Sequence, residues 1–433
     1  MSIDELCAMS LAEAAEAIRT KRISPVELTR ACLQRIVDED GLINSFVVVF
    51  AEDALASASA AENEITSGRW RGPLHGIPIA VKDLIDMQGK VTTAGSAVFR
   101  DNIANADAAV VKRLHQAGAV ILGKNNLHEF AYGGSGVISR CGPARNPRDI
   151  ERITGGSSSG SAAAVAAEHC FAAIGTDTAG SIRLPAACCG IVGLKPSYGR
   201  VSAHGVVPLS WSYDHVGPLA RTVEDASLVL QAISDWRPEP VDVAALRVGV
   251  ARDYFFEGLE PQVANACESA IELLSRVCAS VREIRMMVDE DRTVSSAEAW
   301  QFHKQWIETK AELYQPQTLV RIRSGERYTP EQIEAKRKDL ERMRGSAVDL
   351  FRDVDVIVTP TCPILPPKLE EVQAHPETLR PKELIMLRNT RPWNVLGIPA
   401  ISVPCGPMVG IQLAALQENT LIALGETISG EIR

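Results

Sequence analysis

Two turns dense in glycine and serine constrain this chain more than any other feature. They are Gly155-Gly156-Ser157-Ser158-Ser159-Gly160 and Gly175-Thr176-Asp177-Thr178-Ala179-Gly180-Ser181. Between them lie Ser159–Ala167, which reads as a short helix, and Phe171–Thr176, which reads as a strand. A flexible Gly/Ser linker would not enclose such ordered segments. Residues this small let the backbone approach a bound group closely. They also leave main-chain N–H groups free to face developing negative charge, and the serines add hydroxyls suited to nucleophilic chemistry.

The surrounding sequence has an α/β rhythm. Ser24-Pro25-Val26-Glu27 is written as a capping box with proline at the first helical position, opening a helix to about Val37. Phe46–Val49 reads as a strand. In Ile77–Lys82 a period of two sets Lys82 on the face opposite the isoleucines, at a strand end. Asp107 is placed to cap a helix through Ala117, which Gly118 stops, and Ala119–Gly123 follows as a strand. Further strands are expected at Leu246–Ala251, Val354–Pro360 and Ala400–Val403. From about 263 to 351 the chain is charged and helical, with a second capping box at Thr329–Gln332. Layering of this kind predicts an α/β fold in a single large domain over residues 1–433, with N-terminal helices (about 1–70) and a helical excursion (about 263–351).

Composition narrows the function. A net charge of −9 argues against binding nucleic acid or anionic membrane surfaces. No apolar run approaches the roughly 20 residues that span a bilayer. The first residues carry acids where a secretory signal would be basic. Ten cysteines are scattered without a CxxC pair, which predicts reduced thiols and a cytoplasmic location. Neither cysteine nor histidine shows the spacing of a zinc site.

The region from Arg152 to Ser202 resembles the amidase signature. The resemblance extends over LHGIPIAVKDLID (Leu74–Asp86), GAVILGKNNLHEFAYG (Gly118–Gly133), SYDHVGPLARTVEDA (Ser212–Ala226), DVIVTPTCP (Asp355–Pro363) and NVLGIPAISVPCG (Asn394–Gly406). It implies a mixed β-sheet core covered by helices and hydrolysis of a carboxylic amide. In the family pattern Ser181 falls on the nucleophile, Ser157 on the bridging serine that the family holds in a cis peptide, and Lys82 on the lysine base. Main-chain N–H groups of Thr178, Ala179, Gly180 and Ser181 fall on the oxyanion donors. The chemistry agrees: a serine needs a base to attack an amide, and burial can make a lysine neutral enough to serve. Ser158 is expected as a supporting hydroxyl, and Asp177 and Arg183 as a pair bracing the second turn. His215 is read as structural. Tyr132, Trp211 and Trp393 are candidates for the pocket wall. Tyr132 and the Leu209–Trp211 segment favour an uncharged aryl or medium alkyl acyl group, unless Arg183 is free to hold a carboxylate. No metal or organic cofactor is implied. The expected partner is a small-molecule amide, with a homodimer as the assembly considered.

Two departures from the family pattern matter: Ala179 and Ser159 stand where glycine is usual, and the Pro404–Gln412 loop is short, which leaves the pocket wall open there. Other readings remain. Gly156–Gly160 satisfies GxSxG with Ser158 as nucleophile, and Asp214 and His303 could complete a triad, but Asn146–Thr154 is polar and is not expected to form the preceding strand. A glutamine-hydrolysing A subunit of a tRNA-dependent amidotransferase would share the same triad.

Overall fold

Short apolar runs bounded by glycine, proline or serine form most of the strands of this computed structural model, which describes residues 1–432. The strands are β1 (Phe46–Val49), β2 (Pro78–Lys82), β3 (Val120–Asn125), β4 (Arg145–Asn146), β5 (Asp149–Ile153), β6 (Ala172–Asp177), β7 (Val192–Lys195), β8 (His215–Ala220), β9 (Arg247–Ala251), β10 (Ser280–Ile284), β11 (Val356–Pro360), β12 (Ala400–Gly406) and β13 (Val409–Ala415). Eleven of them form one sheet in the order β1-β3-β2-β6-β8-β7-β12-β13-β11-β9-β10. The sheet is mixed, as the resemblance implies. Parallel sets β3-β2-β6 and β11-β9-β10 flank an antiparallel centre in which β8, β7, β12 and β13 pair in turn.

Every residue of β2, β3 and β6 is buried, because helices cover both faces of the parallel set. The helix Ser159–Ala166 is buried on all sides, which its run of alanine, glycine and serine allows. Gly160 has no room for a side chain there: a Cβ would sit 2.3 Å from the Ser45 carbonyl oxygen.

Several local expectations hold in whole or part. Thr329 and Gln332 form a reciprocal capping box, and Gly118 ends its helix in the left-handed region. At the start of Pro25–Ile43 only half of the expected box forms: Ser24 Oγ accepts from Val26 and Glu27 N–H, but the Glu27 carboxylate does not return a bond to Ser24 N–H. Asp107 behaves otherwise. Its carboxylate accepts from Gln88 N–H at 2.7 Å, and Ala109–Ala117 starts without a side-chain cap. Two segments depart from the expected layout. β10 lies inside the region read as helical and joins the main sheet beside β9. Asp149–Ile153 is a strand after all, but it lies outside the main sheet, in a separate hairpin with β4 and a single bridge from Arg152 to Lys368. The short Pro404–Gln412 segment is mostly the ends of β12 and β13 joined by a tight turn at Pro407-Met408, and none of its residues faces the cleft described below. All ten cysteines are free, and no helix is long and apolar enough to cross a membrane, among the described residues.

Candidate active site

Adjacent parallel strands bring the first two groups together. Val81 of β2 pairs with Ile174 of β6, so Lys82 ends β2 beside Thr176 at the carboxyl ends of the strands, where open α/β sheets place their ligands. The Lys82 side chain is fully buried and its Nζ donates to Ser157 Oγ at 2.8 Å and Thr176 Oγ1 at 2.9 Å. Burial lowers its pKa from 10.5 to about 7, against the opposing pull of the Asp177 and Asp214 carboxylates. A lysine at that value is partly neutral near pH 7 and can accept a proton. Ser157 follows a cis peptide bond from Gly156, and its carbonyl accepts from His128 N–H at 3.0 Å.

Ser158 joins the two turns. Its main-chain N–H donates to the Ser181 carbonyl at 3.2 Å, and its hydroxyl donates to the Thr176 carbonyl and accepts from Thr176 N–H. This fully engaged hydroxyl meets no histidine, which leaves the GxSxG reading without its base. The candidates for that triad are occupied elsewhere: Asp214 with Thr178, and His303 with Tyr314.

The second turn is held from beneath. Asp177 and Arg183 form a buried two-point ion pair, Nε to Oδ2 at 3.0 Å and Nη2 to Oδ1 at 2.9 Å. Burial alone would raise the Asp177 pKa, but the Arg183 charge and its hydrogen bonds hold it well below the usual carboxylate range. Arg183 also reaches Gln412 and Asn394, both at 2.7 Å, so nothing of it is left to bind a substrate. Of the four proposed oxyanion donors, Gly180 is already engaged: its N–H donates to Asp177 Oδ1 at 2.8 Å. Its contribution is shape. It sits at φ +132°, against Thr390. The N–H groups of Thr178, Ala179 and Ser181 have no protein acceptor among the described residues. Ala179 needs no positive φ, so its replacement of the usual glycine leaves its N–H in place.

Ser181 lines a cleft with Tyr132, Thr178, Ala179, Leu209 and Tyr213. Two expected wall residues are elsewhere. Trp211 is 40% exposed and outside the cleft; its segment contributes Leu209 instead. Trp393 is core, stacked on Phe255 with its indole N–H bonded to the Asn389 carbonyl. His215 is buried on β8 with Nδ1 at 2.7 Å from the Tyr213 carbonyl, a structural placement. The sequence reading missed Thr176, Asn394 and Gln412, and considered Asp214 only for a different triad. Asp214 accepts from Thr178 Oγ1 at 2.6 Å and from Leu209 and Ser210 N–H, and burial pushes its pKa up to about 7. Thr176, Asp214 and Asn394 lie within the motif segments, so their proximity to the triad had a signal. Arg292, Arg380 and Arg391 also line the cleft and had none. No group of three or more histidine, cysteine, aspartate or glutamate residues is placed to hold a metal ion among the described residues.

Comparison with known proteins agrees with this geometry. The family described as Amidase matches residues 27–421. An amidase of Pseudomonas putida is 37% identical, across 98% of this chain and 96% of its own length. The A subunit of the Glutamyl-tRNA(Gln) amidotransferase of Lachnospira eligens is 34% identical, across 98% of each chain. A crystal structure of an amidase superposes with a TM-score of 0.89 at 33% identity, covering 98% of this chain and 100% of that one. With the family match running through nearly every strand and both turns, the chain belongs to the amidase signature family of hydrolases.

Proposed function

We propose that this protein hydrolyses a small carboxylic amide to a carboxylate and ammonia or an amine, with Ser181 as the nucleophile. The observation that carries the reading is the buried Lys82–Ser157 hydrogen bond beside the Ser181 cleft. Neutral Lys82 takes the Ser157 proton as Ser157 takes that of Ser181, and Ser181 Oγ attacks the amide carbon. The oxyanion that forms is met by the unpaired N–H groups of the second turn. The tetrahedral adduct expels the amine, which receives the relayed proton, and leaves an acyl-enzyme. Water then attacks the acyl carbon, giving its proton to the relay, and Ser181 leaves with a proton. No protein partner is needed for these steps.

Ser181→Ala should abolish turnover and leave the fold intact. A fluorophosphonate should add its mass to the peptide containing Ser181. An adduct on Ser158 instead, or full activity in Ser181→Ala, would refute the assignment.

A second reading rests on the relatives, since amidases and amidotransferase A subunits match at similar identity. On that reading the chain would liberate ammonia from glutamine for tRNA-dependent amidation. Hydrolysis of glutamine alone, with other subunits co-purifying, would establish it.

A further inference from the structure

Arginines that face a protein interior are ordinarily matched by carboxylates, as Arg183 is by Asp177. The Ser181 cleft breaks this rule. Arg292, Arg380 and Arg391 all line it, and no aspartate or glutamate does. Arg391 donates to the main-chain carbonyls of Asp289 and Asp291, which fixes its fork without supplying a counter-charge. Arg380 lies 3.4 Å from Glu383, but that carboxylate already pairs with Arg321 at 2.8 Å and accepts from Ser135 Oγ at 2.7 Å.

Arg292 has no side-chain hydrogen bond and no ion pair among the described residues, although it is half-buried. The acids next to it in sequence are otherwise engaged. Asp291 takes Lys336 at 3.3 Å and Thr293 N–H at 2.8 Å, Glu290 accepts from Tyr254 Oη at 2.9 Å, and Asp289 accepts from Asp291 N–H at 3.1 Å. Burial, and then the Arg391 and Arg380 charges, lower the Arg292 pKa to about 10, so it stays cationic at neutral pH.

Resting on the amidase reading of this cleft, we infer that the substrate is a small amide bearing a carboxylate, and that Arg292 receives this carboxylate, with Arg380 and Arg391 adding to the field. A carboxylate supplies the missing counter-charge and matches the planar guanidinium fork. With no acid in the lining, an α-ammonium group would meet only positive charge. Free amino-acid amides such as glutamine are therefore disfavoured. The inference replaces the expected uncharged aryl acyl group.

The test pairs succinamate with its neutral counterpart butyramide, and adds glutamine. Binding is measured by calorimetry on Ser181→Ala protein, which removes any dependence on turnover. Succinamate should bind at least about tenfold more tightly than butyramide, and adding Arg292→Gln should weaken it by roughly 10- to 150-fold. Arg292→Lys should restore part of the loss. In the active enzyme Arg292→Gln should lower kcat/KM for succinamate, chiefly through KM, and leave butyramide within about twofold. Equal binding of the two amides, binding of neither, equal losses on both in Arg292→Gln, or a preference for glutamine would overturn the inference. Succinamate binding through Arg292 in a protein whose Ser181 resists fluorophosphonate would instead sink the amidase reading and leave the anion site standing. Equal hydrolysis of succinamate and butyramide would do the reverse.

Discussion

Replacing Lys82 with methionine should make the protein more stable at neutral and acid pH while abolishing its activity. Lys82 is fully buried, and its pKa falls from 10.5 to about 7. At about 1.4 kcal/mol per pH unit, that fall corresponds to about 5 kcal/mol spent on keeping the ammonium group in the interior. Methionine is of similar length and carries no charge. It forfeits the two hydrogen bonds to Ser157 and Thr176, at about 0.5–1.5 kcal/mol each. The net gain is then about 2–4 kcal/mol below pH 7, or roughly 2–4 °C in Tm for a chain of this size. The sign follows from where the protons sit. Between about pH 7 and about pH 10.5 the unfolded wild type holds the Lys82 proton and the folded protein has released it, so wild-type stability rises with pH across that window. The mutant has no such dependence, so its advantage should shrink steadily and disappear by about pH 10. Asp214 also titrates near 7, but it is present in both proteins and largely cancels in the difference. The assay is thermal unfolding of both proteins from about pH 6 to about pH 10 at one scan rate, since chains of this size often unfold irreversibly. Wild-type kcat/KM should rise through an apparent pKa near 7 over the same range. A Tm difference that stays constant with pH would show that Lys82 keeps an ordinary pKa and cannot be the base as described.

Gly180→Ala should cost at least about a hundredfold in kcat, because the new Cβ would lie 2.0 Å from Thr390 Oγ1 at a φ of +132°, a clash and strain of about 1–3 kcal/mol that must move the turn carrying Ser181. Wild-type kcat in this variant would show that the turn geometry is not needed. Arg183→Ala should destabilise by about 3–5 kcal/mol at neutral pH, since it strands the Asp177 carboxylate in the core. The loss should narrow as pH falls and Asp177 takes a proton in the variant, and a Tm deficit unchanged between neutral and acid pH would contradict this.

The parts of the fold that were legible in sequence are those where local pattern and tertiary role coincide. β1, β2, β3 and β6 are apolar runs closed by turn residues, and in β2, β3 and β6 burial on both faces removes any need for polar alternation. Two of the strands missed in sequence break the pattern. β8 is HVGPLA, with proline and glycine in mid-strand, yet Pro218 stands opposite Ile174 in the sheet. β10 is SVREI, an edge strand whose charged residues reach solvent and which therefore resembles the helices around it. Its place in the sheet comes from pairing with β9, a partner that no local window includes.

The site divides along the same line. Lys82, Ser157 and Ser181 were legible because the family fixes them in order within short motifs. The Arg183–Asp177 pair was legible because its members are six residues apart on one turn. The arginines of the cleft have neither advantage. Arg292 directly precedes the helix Thr293–Lys310, Arg380 lies within Pro376–Met386 and Arg391 opens Arg391–Val395. Each stands among acids or polar residues that would make it an ordinary surface charge. What sets these arginines apart is the allocation of their neighbours. Glu383 is committed to Arg321, Asp291 to Lys336 and Glu290 to Tyr254. A cation becomes a binding group when packing has assigned every nearby carboxylate to something else. That assignment is made by contacts between elements, so the arginines proposed to choose the substrate were harder to read than the triad proposed to cut it.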